Sequence, residues 1–190
     1  ILYNGPKCGA SAPDHAHLQA VSTDVLPLQQ TWKRLSRNLV EVVKTDEEVG
    51  IWHITDYPAA AFLIRSHTME EGEQLFKRLY ACLPQREDET EPMMNIIAWR
   101  QGEATLSVVL PRKKHRPDCY TQEGQAQFII SPGAVDMGGL IITPREEDFR
   151  KITPEVALGI YQEVSLTSEQ VQEVMTKLRN NTLASNSSSS

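Results

Sequence analysis

Cysteine is scarce in this sequence. Cys8, Cys82 and Cys119 are the three it has; they are odd in number, widely spaced and form no CxxC pair. No secretory signal is expected from the opening residues. A reducing, cytoplasmic setting fits this usage better than a disulfide-stapled secreted one. Long apolar runs are missing too, since none reaches the roughly 20 residues of a membrane span. Positive charge is in deficit, with 19 Lys and Arg against 25 Asp and Glu and a formal net charge of −6. That excludes a global attraction to nucleic acid or to an anionic membrane, so a phosphate-bearing ligand would need a local basic patch. The chain also starts without a methionine: "ILYN" reads as a strand already under way. A short β segment needs a pairing partner, and the expectation is that further chain lies upstream. The acceptor patterns at Asn180 and Asn186 are short enough to arise by chance.

What is present suits a globular protein. The 190 residues are 40% hydrophobic and 23% charged, enough for one sizeable domain or two small repeats sharing a core. Residues 1–4 read as a strand end, 5–13 as a Gly/Pro loop and 15–21 as a strand. A short amphipathic helix is expected near 27–36, with Pro27 early and Leu28, Trp32 and Leu35 on one stripe. Strands are expected at 39–44, 50–55 and 59–66. Thr68 and Glu71 form a capping box ahead of Leu75, Phe76, Leu79, Tyr80 and Leu83 at helical spacing. Residues 94–112 read as a hairpin turning at Gly102. "QAQFIIS" and "AVDMGGLIITP" read as two further strands. Thr153 with Pro154, and Thr167 with Gln170, open two C-terminal helices. "TLASNSSSS" is polar and low in complexity, and a disordered tail is expected over 182–190. The sum is a strand-rich α+β chain with antiparallel hairpins and no βαβ alternation.

The stretch "NGPKCGASAPDHAHLQA", Asn4 to Ala20, carries the chemistry. In an extended strand alternate side chains share a face. His15, His17 and Gln19 would line one face, and Ala16, Leu18 and Ala20 the other, which suits a core. Read alone, H-x-H fits satisfied strand histidines best. It also fits a metal site, but His53, His67, His115, Cys8 and Cys119 add no ligand spacing, and no metal is expected.

The pattern N…GAS-P-HAHLQA resembles the active-site strand of the histidine-triad superfamily, in the branch with Gln in place of the third histidine. That branch includes galactose-1-phosphate uridylyltransferases, dinucleoside tetraphosphate phosphorylases and GDP-hexose phosphorylases. "DYPAAAFLI" (56–64), "MNIIAWRQGEATLSVVLPR" (94–112) and "SPGAVDMGGLIITPREEDFRKIT…IYQEVSLTSEQVQEV" (131–174) are most similar to the GDP-L-galactose or GDP-D-glucose phosphorylases, in the same order. An uncharacterised bacterial branch is matched as well. The sequence departs from the uridylyltransferases at Asp14, inserted between Pro13 and His15. It lacks a cysteine pair for their zinc, and the half that shapes much of the nucleoside pocket in such families is expected to lie upstream.

The resemblance implies a histidine-triad-like antiparallel sheet with flanking helices over 1–181, as the C-terminal part of a larger protein. It implies His17 as nucleophile on the α-phosphorus of a nucleotide and Gln19 as donor to a phosphoryl oxygen. His15 would position the α-phosphate or hydrogen-bond to its neighbours, and Asn4 would support the loop or the nucleotide. Backbone amides around Gly9 and Ser11, with the Ser11 hydroxyl, are oriented donors near a phosphate. The implied reaction is phosphorolysis of a nucleoside diphosphate hexose without a cofactor. A dinucleoside polyphosphate phosphorylase, a hexose-1-phosphate nucleotidylyltransferase and a non-catalytic nucleotide-binding protein are the alternatives. Partners would be the nucleotide sugar, inorganic phosphate and the upstream segment, with no nucleic acid and no membrane; a homodimer is left open. The basic run "PRKKHRP" (111–117) offers Arg112 and Lys114 at alternate positions for a phosphate or pyrophosphate, against the equally weighted reading of a solvated turn. "DMGG" (136–139) reads as a tight bend. Trp52, Trp99 and Phe128 read as core or pocket wall.

Overall fold

The structure, a computed structural model, describes residues 1–10 and 16–187, with side chains of the last helix to Asn181. Its strands are β1 Leu2–Asn4, β2 Leu18–Gln19, β3 Leu39–Asp46, β4 Val49–Ile54, β5 Phe62–Ser66, β6 Met94–Gln101 and β7 Ala104–Pro111. Among the described residues they form one seven-stranded sheet in the order β2-β1-β6-β7-β5-β4-β3, and every pairing is antiparallel. The helices are α1 Pro27–Gln30, α2 Trp32–Leu35, α3 Met69–Tyr80, α4 Ala134–Met137, α5 Glu146–Lys151, α6 Pro154–Val164 and α7 Ser168–Ser187. The α+β class and the antiparallel sheet with flanking helices are those expected from the sequence, an arrangement consistent with the histidine-triad-like fold. Helix α7 runs into the stretch 182–190; residues 188–190 lie outside the described ones.

Both faces of the sheet are covered, and strand alternation sorts the side chains between them. Leu2, Ile97, Leu63, Leu106, Val108 and Leu110 meet α1, α2, α4 and α6 through Leu28, Leu35, Met137 and Tyr161. Phe62, Ile64, Val109 and Met94 face the other way, onto Leu75 and Leu79 of α3 and Val171, Val174 and Leu178 of α7. The two covering helices on that side begin where their capping boxes place them. Thr68 Oγ1 accepts from Glu71 N at 3.2 Å while Glu71 Oε2 accepts from Thr68 N at 3.0 Å. Gln170 N donates to Thr167 Oγ1 at 3.2 Å and Thr167 N to Gln170 Oε1 at 3.0 Å. Gly102, at φ +61, turns the β6–β7 hairpin. Trp52 and Trp99 pack against the first core and Phe128 is buried. Among the described residues no helix is long and apolar enough to cross a membrane.

Two expectations are corrected. "QAQFIIS" and "AVDMGGLIITP" are not strands. The first passes through a 3₁₀ turn, Gly124–Ala126, into irregular chain, and the second opens with α4. Their backbone is held by side chains rather than by a ladder: Ile129 N donates to Asp148 Oδ2, and Gly133 N and Ile142 N donate to the Asp136 carboxylate. Phe128 and Ile130 then form a small core of their own with Ile160. Among the described residues of the strand expected at 15–21, Leu18 and Gln19 are the paired ones, and the face expected to be buried is open. Ala16 and Ala20 are exposed and Leu18 is 68% exposed. Strand β2 is the edge of the described sheet. Leu18 instead borders a shallow apolar groove of about 300 Å³ with Tyr3, Phe76, Tyr80 and Ile96.

Candidate functional site

Strand register builds one polar patch at the β2 end of the sheet. Residues directly opposed across an antiparallel pair share a face. Leu2 opposes both Gln19 and Ile97, and Asn4 opposes Asn95. Gln19, Asn4 and Asn95 therefore belong to the face that carries α4. Carried one residue past its last pair, the β1–β2 register sets His17 level with Asn4. His17 is half-buried.

Asn4 sits where the apolar series of β1 would continue, and both ends of its amide are engaged. Its Oδ1 accepts from Asn95 Nδ2 at 2.8 Å and from Ala134 N, the first residue of α4, at 2.6 Å. Its Nδ2 donates to Gln19 Oε1 at 3.4 Å. Asn95 is wholly buried; its Nδ2 also donates to Cys8 O at 2.7 Å, and its Oδ1 accepts from Arg112 Nη1 at 2.8 Å. A buried amide is tolerable only when its groups are paired in this way.

Arg112 supplies the charge behind the patch. It is 2% exposed. Nη1 donates to Pro132 O at 2.9 Å as well as to Asn95, and Nη2 donates to Lys114 O at 3.1 Å and His115 O at 2.9 Å. Nε is buried without a partner among the described residues. Burial pushes the guanidinium pKa down, while Cys8 and Asp136 pull it up. Asp136 is raised by its own burial and lowered by the Ile142 and Gly133 amides and by Arg112. The Cys8 thiol is pushed up to about 11, chiefly by burial, which leaves it protonated and inert near neutral pH.

Glycine lets the loop close onto this cluster. Gly9 has φ +82, and a Cβ there would lie 2.5 Å from Gly133 Cα. A Cβ on Gly133 would in turn meet Asn4 Oδ1 at 3.2 Å. The 5–9 loop, the start of α4 and Asn4 thus touch through backbone that leaves no room for side chains. Helix α4 is fixed from behind, where Tyr161 Oη donates to Asp136 O at 2.7 Å and Tyr57 Oη donates to Met137 O.

The structure brings together Asn4, Gly9, Gln19 and Arg112 of the residues singled out from the sequence, with His17 at the edge of the group. Ser11 and His15 lie outside the described residues. Lys114 turns its ammonium away, to the carboxylates of Asp118 and Glu163, and Arg112 spends its donors inside the protein. Asn95 escaped notice; its signal was a lone amide in the apolar run "MMNIIAW". A cavity of about 440 Å³ lies elsewhere, between β4–β5 and the start of α7, lined by His53, Lys113 and Thr167 among others. Among the described residues no group of three or more His, Cys, Asp or Glu side chains could hold a metal ion.

Chemically, the patch presents the Gln19 carboxamide, backed through Asn4 and Asn95 by a buried cation, with His17 two residues away along the chain. That combination suits an anionic group without fixing its protonation. A family model described as GDPGP1-like, C-terminal domain, matches residues 34–185, and one described as a domain of unknown function (DUF4922) matches residues 1–22. No curated protein and no solved structure matches the chain.

Proposed function

Starting from the fact that this chain belongs to the family of the GDPGP1-like C-terminal domain, we propose that it acts in nucleotidyl transfer from a nucleoside diphosphate hexose, such as a GDP-hexose, to inorganic phosphate. Family membership supports the phosphorylase or nucleotidyltransferase class. The observation that carries the finer reading is the amide cluster converging on Gln19, two residues from His17 on the same short stretch of chain.

In this reading an unprotonated ring nitrogen of His17 attacks the α-phosphorus. An N–P bond forms, the P–O bond to hexose 1-phosphate breaks, and the electron pair leaves with that oxygen. The second ring nitrogen keeps its proton throughout. Inorganic phosphate then attacks the same phosphorus, a P–O bond replaces the N–P bond, and the nucleoside diphosphate departs with His17 restored. Gln19 donates to a non-bridging oxygen as charge builds there, and neutral donors serve equally well at both steps.

The test is a trap. Incubation with a GDP-hexose labelled at the α-phosphorus, quenched in alkali, should leave label on the protein at His17. His17→Ala should lose that label and several orders of magnitude in turnover, with a melting temperature close to the parent's, because a half-buried residue beside an edge strand holds little of the core. A binder that does no chemistry would retain ligand and never become labelled, and that result would end the proposal.

A further inference from the structure

Two carboxamides in series, Asn95 and Asn4, separate a buried cation from Gln19, and their polarity is not free. A guanidinium can only donate hydrogen bonds, a backbone N–H can only donate, and a carbonyl can only accept. Arg112 Nη1 faces Asn95, so the atom it meets must be Oδ1. Asn95 Nδ2 then faces Cys8 O, an obligate acceptor, which agrees. The same Nδ2 points at Asn4, so Asn4 presents Oδ1 there, and Ala134 N–H arrives at that oxygen independently. Asn4 is left with Nδ2 toward Gln19, and Gln19 answers with Oε1. The group of Gln19 that this chain of bonds does not consume is its Nε2. Asn and Gln side chains ordinarily flip at little cost; here Arg112, Cys8 O and Ala134 N each forbid the flipped state.

We propose that Arg112, Asn95 and Asn4 are positioning residues that act as a polarity relay. They hold Gln19 with Oε1 turned inward and Nε2 outward, so that it meets an anionic phosphoryl oxygen as a donor and never as an acceptor. This rests on the nucleotidyl-transfer reading for its effect on rate, though not for its geometry. A reversed Gln19 would place a carbonyl oxygen against a phosphoryl oxygen, and a preset donor avoids that penalty at the moment charge develops. The relay also gives the buried guanidinium a use beyond cohesion: with Cys8 O and Ala134 N it fixes the same polarity, and it is the charged member of the three.

Asn4→Asp tests the last link alone. Its carboxylate still accepts from Asn95 Nδ2 and Ala134 N, so the fold keeps both bonds, but the atom toward Gln19 changes from donor to acceptor. Gln19 must then turn Nε2 inward. The expected result is a fall in kcat of about 10²-fold with KM little moved, matching Gln19→Ala, by comparison with loss of one oxyanion donor. In the double variant the loss should stay near that of Gln19→Ala. Simple charge repulsion from the introduced carboxylate would persist without Gln19 and multiply the two losses to roughly 10⁴-fold, which would overturn the relay. A kcat for Asn4→Asp within a few-fold of the parent would overturn it as well.

Asn95→Asp provides a second route should Asn4→Asp fold poorly. It gives Arg112 a counter-charge, yet it can donate neither to Asn4 nor to Cys8 O and should cost a similar factor in kcat. A readout free of catalysis separates this proposal from the one it rests on. The Gln19 carboxamide proton resonances should move downfield in Asn4→Asp as they gain an acceptor. If the parent protein never labels at His17, the functional reading fails while that shift still upholds the relay. An unmoved Gln19 resonance overturns the relay whatever the labelling shows.

Discussion

At the scale of single residues, Arg112 illustrates how a charge is housed without a carboxylate at hydrogen-bond distance. Its four donated bonds go to three backbone carbonyls and one amide oxygen, so its field stays directed rather than cancelled. Asp148 is the opposite case. It is buried against Arg145 and Lys151 and accepts from Ile129 N, and the Arg145 hydrogen bond leads in taking its pKa down to about 2. A carboxyl held below its unfolded value, roughly 4, stabilises the fold above that value and loses the contribution as pH falls toward 2. Urea midpoints measured between pH 5 and pH 2 should therefore drop less steeply in Asp148→Asn than in the parent, and identical slopes would contradict the assignment. Alternation put Gln19 on the face of Asn4 and misled about Leu18. Alternation says which side chains share a face, but not whether anything covers it, and Leu18 turned out largely exposed. A basic run such as 111–117 usually faces solvent, and nothing local distinguishes Arg112, which is buried, from Lys114, which is not.

At the scale of elements, the readable features were those whose cause is local. Capping boxes at Thr68 and Thr167, the cap at Thr153 and the turn at Gly102 were legible because every partner lies within a few residues. The segments from 125 to 142 were not. Their apolar runs look like strands, but their N–H groups are satisfied by Asp136 and Asp148, and a short run gives no period to separate the two outcomes. The Gly9 turn is the element most sensitive to a single atom. With φ +82 and Gly133 Cα at 2.5 Å from any Cβ, Gly9→Ala is expected to cost about 2 kcal/mol or more. Equilibrium unfolding would measure that, and a change of a few tenths would show that the loop does not rest on α4. The amide cluster was illegible for the same reason that it is specific. It joins positions 4, 19, 95 and 112, and only the register of separate strands brings them together.

At the scale of the whole molecule, the sheet is thick in the middle and thin at one side. Strand β7 is flanked by β5 and β6 and covered on both faces, whereas β2 pairs only with β1 among the described strands. Amide hydrogen exchange should rank accordingly, slowest at Val108 and Val109 and fastest, by orders of magnitude, at Leu18 and Gln19; comparable protection in the two would mean that β2 is tied down by something else. The candidate site also straddles the two family matches. Asn4 and Gln19 fall within 1–22, and Asn95 and Arg112 within 34–185, so neither segment holds the amide cluster by itself. The chain between β7 and α4 leaves and returns past one guanidinium, which grips carbonyls 114 and 115 on the way out and carbonyl 132 on the way back. That clasp closes the excursion at its neck. Residues inserted at its exposed tip, between Thr121 and Gln125, would lengthen the bulb without tugging on Asn4, which makes this tip a site for grafting a tag or a reporter while the clasp at the neck stays in place.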